Sequence, residues 1–188
     1  MAKYKCTPVD FARLLFEEII HTGIKNSFIT NVIQNDNYTP SEKATIESLG
    51  QERIHQESSY CWMFLCTFVI HREVSDLDSE LARRIHQSVR QMIDTEILHS
   101  VAASDTFTRR IGLYARAIES DLEVIGADDV IHFLNLITSF YENLLGRSVH
   151  RGEFQLARLL FSLFVSETLC NLQDIVKKVR TDVVLIDD

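Results

Sequence analysis

The sequence predicts an all-α chain, and three observations carry that reading. Apolar residues recur at intervals of three and four along most of the chain, and no sustained alternation of period two competes with them. Only two prolines and six glycines interrupt 188 residues, which suits long elements. Helix start and stop signals separate the apolar stripes. With 46% hydrophobic residues, the chain can bury a substantial core. The expected organisation is a single domain over 1–188, a compact bundle of five to six helices with a buried C-terminal helix at its centre.

The elements follow in chain order. Thr7-Pro8 opens the first helix: threonine caps, proline is preset for the first turn, and Asp10 favours the positive helix end. Phe11, Leu14, Leu15, Glu18 and Ile19 continue at helical spacing to an interruption expected at Gly23. The helix is expected to resume through Phe28, Val32 and Ile33 before a loop at 34–38. Thr39-Pro40-Ser41-Glu42 joins a threonine cap, a first-turn proline and an acid three residues after the cap. It predicts a helix to about Glu73, with Gly50 as the site of any bend.

Ser75 or Asp76 is expected to cap a third helix, striped by Leu77, Leu81, Ile85, Val89 and Met92, running to about Ala103. Asp105 is expected to open a fourth, through Phe107, Ile111, Tyr114, Ile118 and Leu122 to Gly126. Asp128 opens a fifth, with Ile131, Leu134, Ile137, Tyr141 and Leu144 inside and Gly146 as its stop. The last helix, Phe154 to about Val179, begins FQLARLLFSLFV. Nine of those twelve residues are apolar, which predicts burial on nearly all sides. Val183–Ile186 has strand-like composition and is expected to form a tail.

Composition narrows function. A formal net charge of −8 disfavours sequence-independent nucleic-acid binding, which needs a basic face. The apolar run from Tyr60 to Ile70 is about half the roughly 20 residues of a spanning helix, so no membrane span is expected. The N-terminal MAKYKCTPVDF has no apolar core of a secretory leader. Cys6, Cys61, Cys66 and Cys170 show no CxxC spacing, and the last three lie in apolar stretches as small hydrophobes. The expected compartment is reducing and cytoplasmic.

One spacing carries metal chemistry. Glu52-Arg-Ile-His55 and Glu96-Ile-Leu-His99 each set a carboxylate and an imidazole three residues apart, on one helix face if the helix is regular. Two such pairs, with carboxylates such as Glu18, Glu142 and Glu167, are the donor set of a two-metal helical bundle holding iron or manganese. Two basic groups stand out as interaction residues: Arg83, Arg84 and His86 in the third helix, and Arg147, His150 and Arg151 in the linker before the last. The remaining histidines, His21, His71 and His132 among them, read as surface or helix-end residues.

Phe140-Tyr-Glu-Asn-Leu-Leu-Gly146 followed by HRGEFQLARLLF is similar to the first homology region of the Bcl-2 family of cell-death regulators. That family's Asn-Trp-Gly-Arg core is absent, so the likeness assigns neither fold nor function. No phosphate-cradling glycine loop, nucleophile elbow or HExxH motif is present. The expected function is a non-enzymatic interaction or regulatory module, without a cofactor, that binds a protein partner or pairs with itself. A di-metal oxidase or metal-binding bundle, and a small-ligand sensor, are the alternatives.

Overall fold

Each capping signal tests where a helix begins, and the computed structural model, which describes residues 4–21, 36–123 and 133–186, answers most of them. The described residues are mostly helical, with seven α-helices rather than five or six. They are α1 (Pro8–Leu15), α2 (Pro40–Ser48), α3 (Gln51–Val74), α4 (Ser79–Met92), α5 (Val101–Glu123), α6 (Leu134–Leu145) and α7 (Gln155–Asp182). π-helical turns extend α1 over Phe16–His21 and α4 over Ile93–Leu98. Two three-residue strands, β1 (Tyr4–Cys6) and β2 (Val183–Leu185), pair in parallel with Tyr4 opposite Val183. The strand-like tail is therefore an ordered ladder.

Local chemistry explains the helix ends. The Thr7 hydroxyl accepts from the Asp10 amide, and Pro8 sits in the first turn. Thr39 and Glu42 form the reciprocal capping box that their spacing predicts. Gly50 does more than bend the rod. It adopts φ +78°, which separates α2 from α3. Gly146 ends α6 in the left-handed conformation; an added Cβ would lie 2.8 Å from the Arg53 guanidinium.

Other starts differ from expectation. Asp78, not Ser75 or Asp76, caps α4 by accepting from the Glu80 amide. The turn therefore runs to residue 78, and Leu77 lies outside the helix. Helix α5 begins at Val101, with the Ser100 hydroxyl accepting from the Ala103 amide, so Asp105 is interior. The expected interruption at Gly23, the resumption through Phe28 to Ile33, and the stop and start at Gly126 and Asp128 lie outside the described residues. Residues of α6 are instead held by Asp121 of α5. Its two carboxylate oxygens accept from the Asn135 and Leu136 amides, each at 2.9 Å. Burial raises the Asp121 pKa, against these hydrogen bonds.

The chain divides into two compact units: 1–25, 62–107 and 169–188 form one, and 26–61 with 108–168 form the other. In the first, α1 packs on α4, and the core holds Phe11, Leu15, Phe16, Met63, Leu65, Ile70, Ile85 and Val89. The Trp62 indole donates to the Ile20 carbonyl. In the second, an aromatic cluster dominates. Tyr141 stacks on Phe154 at 5.1 Å between centroids, and Phe140 and Phe161 meet at 5.5 Å. The Tyr38 and Tyr141 hydroxyls share a hydrogen bond of 2.8 Å. Glu42 also accepts from the Phe154 amide, where the chain takes a left-handed turn into α7.

The last helix corrects the reading of a rod buried all round. Ala157, Phe161, Val165, Leu169, Leu172 and Val176 form one buried stripe. Leu156, Leu159, Leu160 and Leu163 lie on the outer side, 54%, 40%, 37% and 40% exposed. Apolar composition fixes neither how many faces find a partner nor which. Cys170 likewise lies exposed, while the thiols of Cys6, Cys61 and Cys66 are buried.

Candidate functional site

The outer leucines make the most conspicuous chemical feature of the second unit. Exposed leucines scattered singly are ordinary on protein surfaces. Four at i, i+3, i+4 and i+7 are different, because that spacing places them on one stripe of a helix. The stripe starts just after Phe154, whose backbone is left-handed, and exposed Glu167 lies one turn beyond its far end. Just before the helix, Arg147 and Glu153 form a two-pronged ion pair at 2.9 and 3.0 Å. The His150 amide also donates to Glu153, and together these donors hold its carboxyl down at about 2. Arg147, His150 and Arg151 are all exposed in this turn, which leads into the apolar stripe.

The other basic group is differently placed. Arg83 is engaged by Glu80 and Gln87 on its own helix, so its charge is partly neutralised. Arg84 is half-buried. His86 pairs with His71 of α3, with Nδ1 of His71 3.1 Å from Nε2 of His86. Sequence reading missed this pair because it treated each histidine alone. A signal was present: His71 lies about one turn before the short connection at 75–78 and His86 about two turns after it, within reach of each other across a helical hairpin.

The ExxH pairs fare differently from one another. Glu52 and His55 are exposed in the second unit. Glu96 and His99 are in the first, but the π-helical turn ends between them, and His99 takes φ +53° as its cap. That departure removes the regular helix that would place both side chains on one face. Glu96 pairs with Arg13 at 3.6 Å. Glu18 and Glu167 are exposed and Glu142 is half-buried, with its carboxylate accepting from the Val149 amide. Among the described residues, no three histidine, cysteine or acidic side chains are grouped to hold a metal ion.

A third feature is a cavity of about 580 Å³ in the first unit. Leu14, Ile175, Val179 and Val183 supply apolar wall, and Lys5 and Lys178 bring charge to it. Cys6 also lines it, its thiol pKa raised by burial first and by Asp10 second. The β1–β2 ladder closes one side, so this space depends on the pairing of two segments remote in sequence.

No protein-family model, curated protein or solved structure matches this chain, so its function rests on these features of its own residues. One described helix, α7, is long and apolar enough to cross a membrane by length and composition, and a third of its most apolar window is buried. The core helix of a soluble protein passes the same test, because one buried stripe and one exposed apolar stripe together raise the mean hydropathy of the whole rod.

Proposed function

We propose that this protein is a non-enzymatic helical interaction module that pairs with a second copy of itself through the outer face of α7. The observation that carries the reading is the exposed stripe Leu156, Leu159, Leu160 and Leu163. Its spacing is the same read in either direction. A two-fold axis between residues 159 and 160 therefore sets Leu156 against Leu163 of the other copy, and Leu159 against Leu160. Such self-complementarity is what an isologous interface requires. The same antiparallel arrangement brings Glu167 of one copy to the turn carrying His150 and Arg151 of the other, which supplies charge complementarity at both ends.

Each leucine is already partly covered, so its further burial contributes only ~1 kcal/mol, and association costs offset much of the sum. The expected dissociation constant is on the order of 10–100 μM. Sedimentation equilibrium up to about 500 μM should show a monomer–dimer equilibrium, well above that constant. Replacing Leu159 and Leu160 by glutamate places four carboxylates about the axis and should leave a monomer with unchanged helical circular dichroism. A wild-type chain that stays monomeric throughout the range overturns the proposal. So does undiminished dimerisation of the double variant, or preferential binding of the monomer to lipid vesicles.

The cavity favours a second reading, a small-ligand sensor taking a compact apolar molecule with a polar end. Enhancement of naphthalene-sulfonate dye fluorescence by the chain, abolished when tryptophan replaces Val179, is the expected result. Equal enhancement by wild type and Val179→Trp would discard the reading.

A further inference from the structure

The His71–His86 pair lies outside the leucine face and the cavity, and its geometry suits a task neither requires. A metal–imidazole bond is about 2.0–2.1 Å long, so two imidazoles bound to one ion at angles between a right angle and the tetrahedral value hold their nitrogens about 2.9–3.4 Å apart. The observed separation is 3.1 Å. Ring direction gives a second constraint. A ring nitrogen lies about 1.2 Å from its ring centroid, so rings sharing a straight N–H···N bond of this length would hold their centroids about 5.5 Å apart. The observed centroids are 4.8 Å apart, so the contact is bent. Rings converging on an ion about 2.1 Å away hold their centroids about one and a half times as far apart as their nitrogens. The pair has that proportion, at 4.8 Å against 3.1 Å.

We propose that His71 and His86 form a two-imidazole site for a borderline divalent transition-metal ion, with Cu²⁺ bound more tightly than Ni²⁺ or Zn²⁺. Neutral imidazole nitrogen suits this class, whereas magnesium, calcium and manganese call for oxygen donors. The ion replaces the proton the two nitrogens share, and solvent completes its coordination. The rings stand on α3 and α4 across the connection at 75–78, so the pair is held by two helices and not by a flexible loop. His71 is exposed and His86 half-buried, which leaves an approach from solvent. Burial, and His71 beside it, lower the His86 pKa and favour the neutral, ligating form. Two of the three arginines along α4 are compensated nearby: Arg83 by Glu80 and Arg90 by Asp94.

The test uses the full chain without a histidine tag, with exposed Cys170 replaced by serine so that its thiol does not compete. Titration calorimetry with NiCl₂ at neutral pH should give one site per chain, its affinity falling about tenfold or more in His71→Gln and equally in His86→Gln. The double variant should lose no more than either single one, because one imidazole cannot chelate. His150→Gln, an exposed histidine elsewhere, should bind as the parent does. Electron paramagnetic resonance of the Cu²⁺-loaded parent should show coupling to two nitrogens, a readout independent of any variant's folding. No saturable site in the parent, unchanged binding in either glutamine variant, or a spectrum without two-nitrogen coupling overturns the assignment.

Discussion

Replacing Arg110 with alanine is expected to destabilise the protein by about 3 kcal/mol, the lower part of the range for removing one partner of a buried ion pair. Glu57 of α3 is a buried carboxylate, 5% exposed. The Arg110 Nε of α5 lies 2.9 and 3.0 Å from its two oxygens, and Nη1 donates to Asn143 of α6 at 2.7 Å. The Tyr114 hydroxyl donates to the same carboxylate. Burial raises the Tyr114 pKa well above the ordinary phenol value, so this group remains a neutral donor through physiological pH. The alanine variant leaves the carboxylate buried with the tyrosine as its remaining charge-stabilising partner. The guanidinium is itself partly solvated, which sets the cost at the low end.

Urea denaturation followed by circular dichroism measures the loss. Glu57→Leu combined with Arg110→Met provides the decisive comparison, because removing both charges avoids the unpaired carboxylate and should recover most of the stability. A loss below about 1 kcal/mol in Arg110→Ala would contradict the assigned burial of this network.

Phe140→Ala is expected to cost about 3–5 kcal/mol, the range for emptying a phenylalanine site in a packed core. The ring is fully buried and meets Tyr141 edge-on at 5.4 Å and Phe161 at 5.5 Å. Removing it leaves space beside a ring that also stacks on Phe154, so collapse of the void would disturb the entry to α7. Phe140→Leu keeps most of the volume and should cost about 1–1.5 kcal/mol. Chemical denaturation of both variants separates a filled site from an empty one. Equal stabilities for the alanine and leucine forms would show that the site is not packed as described.

The leucine-face and core predictions also separate surface from interior on one helix. Phe161 and Val165 are buried and are expected to contribute to stability in the isolated chain, whereas Leu159 and Leu160 are exposed and are expected to act in the proposed self-association. That division was not legible from FQLARLLFSLFV, in which all these residues are apolar. Hydropathy records a residue's preference for leaving water. It does not record whether a neighbouring element is there to receive it.

The two ExxH spacings show what a periodicity argument assumes. ExxH implies a shared face only on a regular helix, and at Glu96–His99 the backbone leaves helical geometry before the histidine. The pair the structure does bring together, His71 and His86, has no short spacing at all. Its proximity comes from two helices doubling back across a connection, a relation that single-helix periodicity does not express.

By itself the sequence determined the helical class and the capped starts of α1 and α2. The reason is that caps and breakers act within a few bonds: a threonine hydroxyl reaching an amide three residues on, or a glycine free to take positive φ. Tertiary structure decided which apolar stripe was covered, that Asp121 would hold the amides of Asn135 and Leu136, and that β1 would pair with β2. Those outcomes depend on contacts between segments far apart along the chain, where geometry selects one partner among many of equal chemistry.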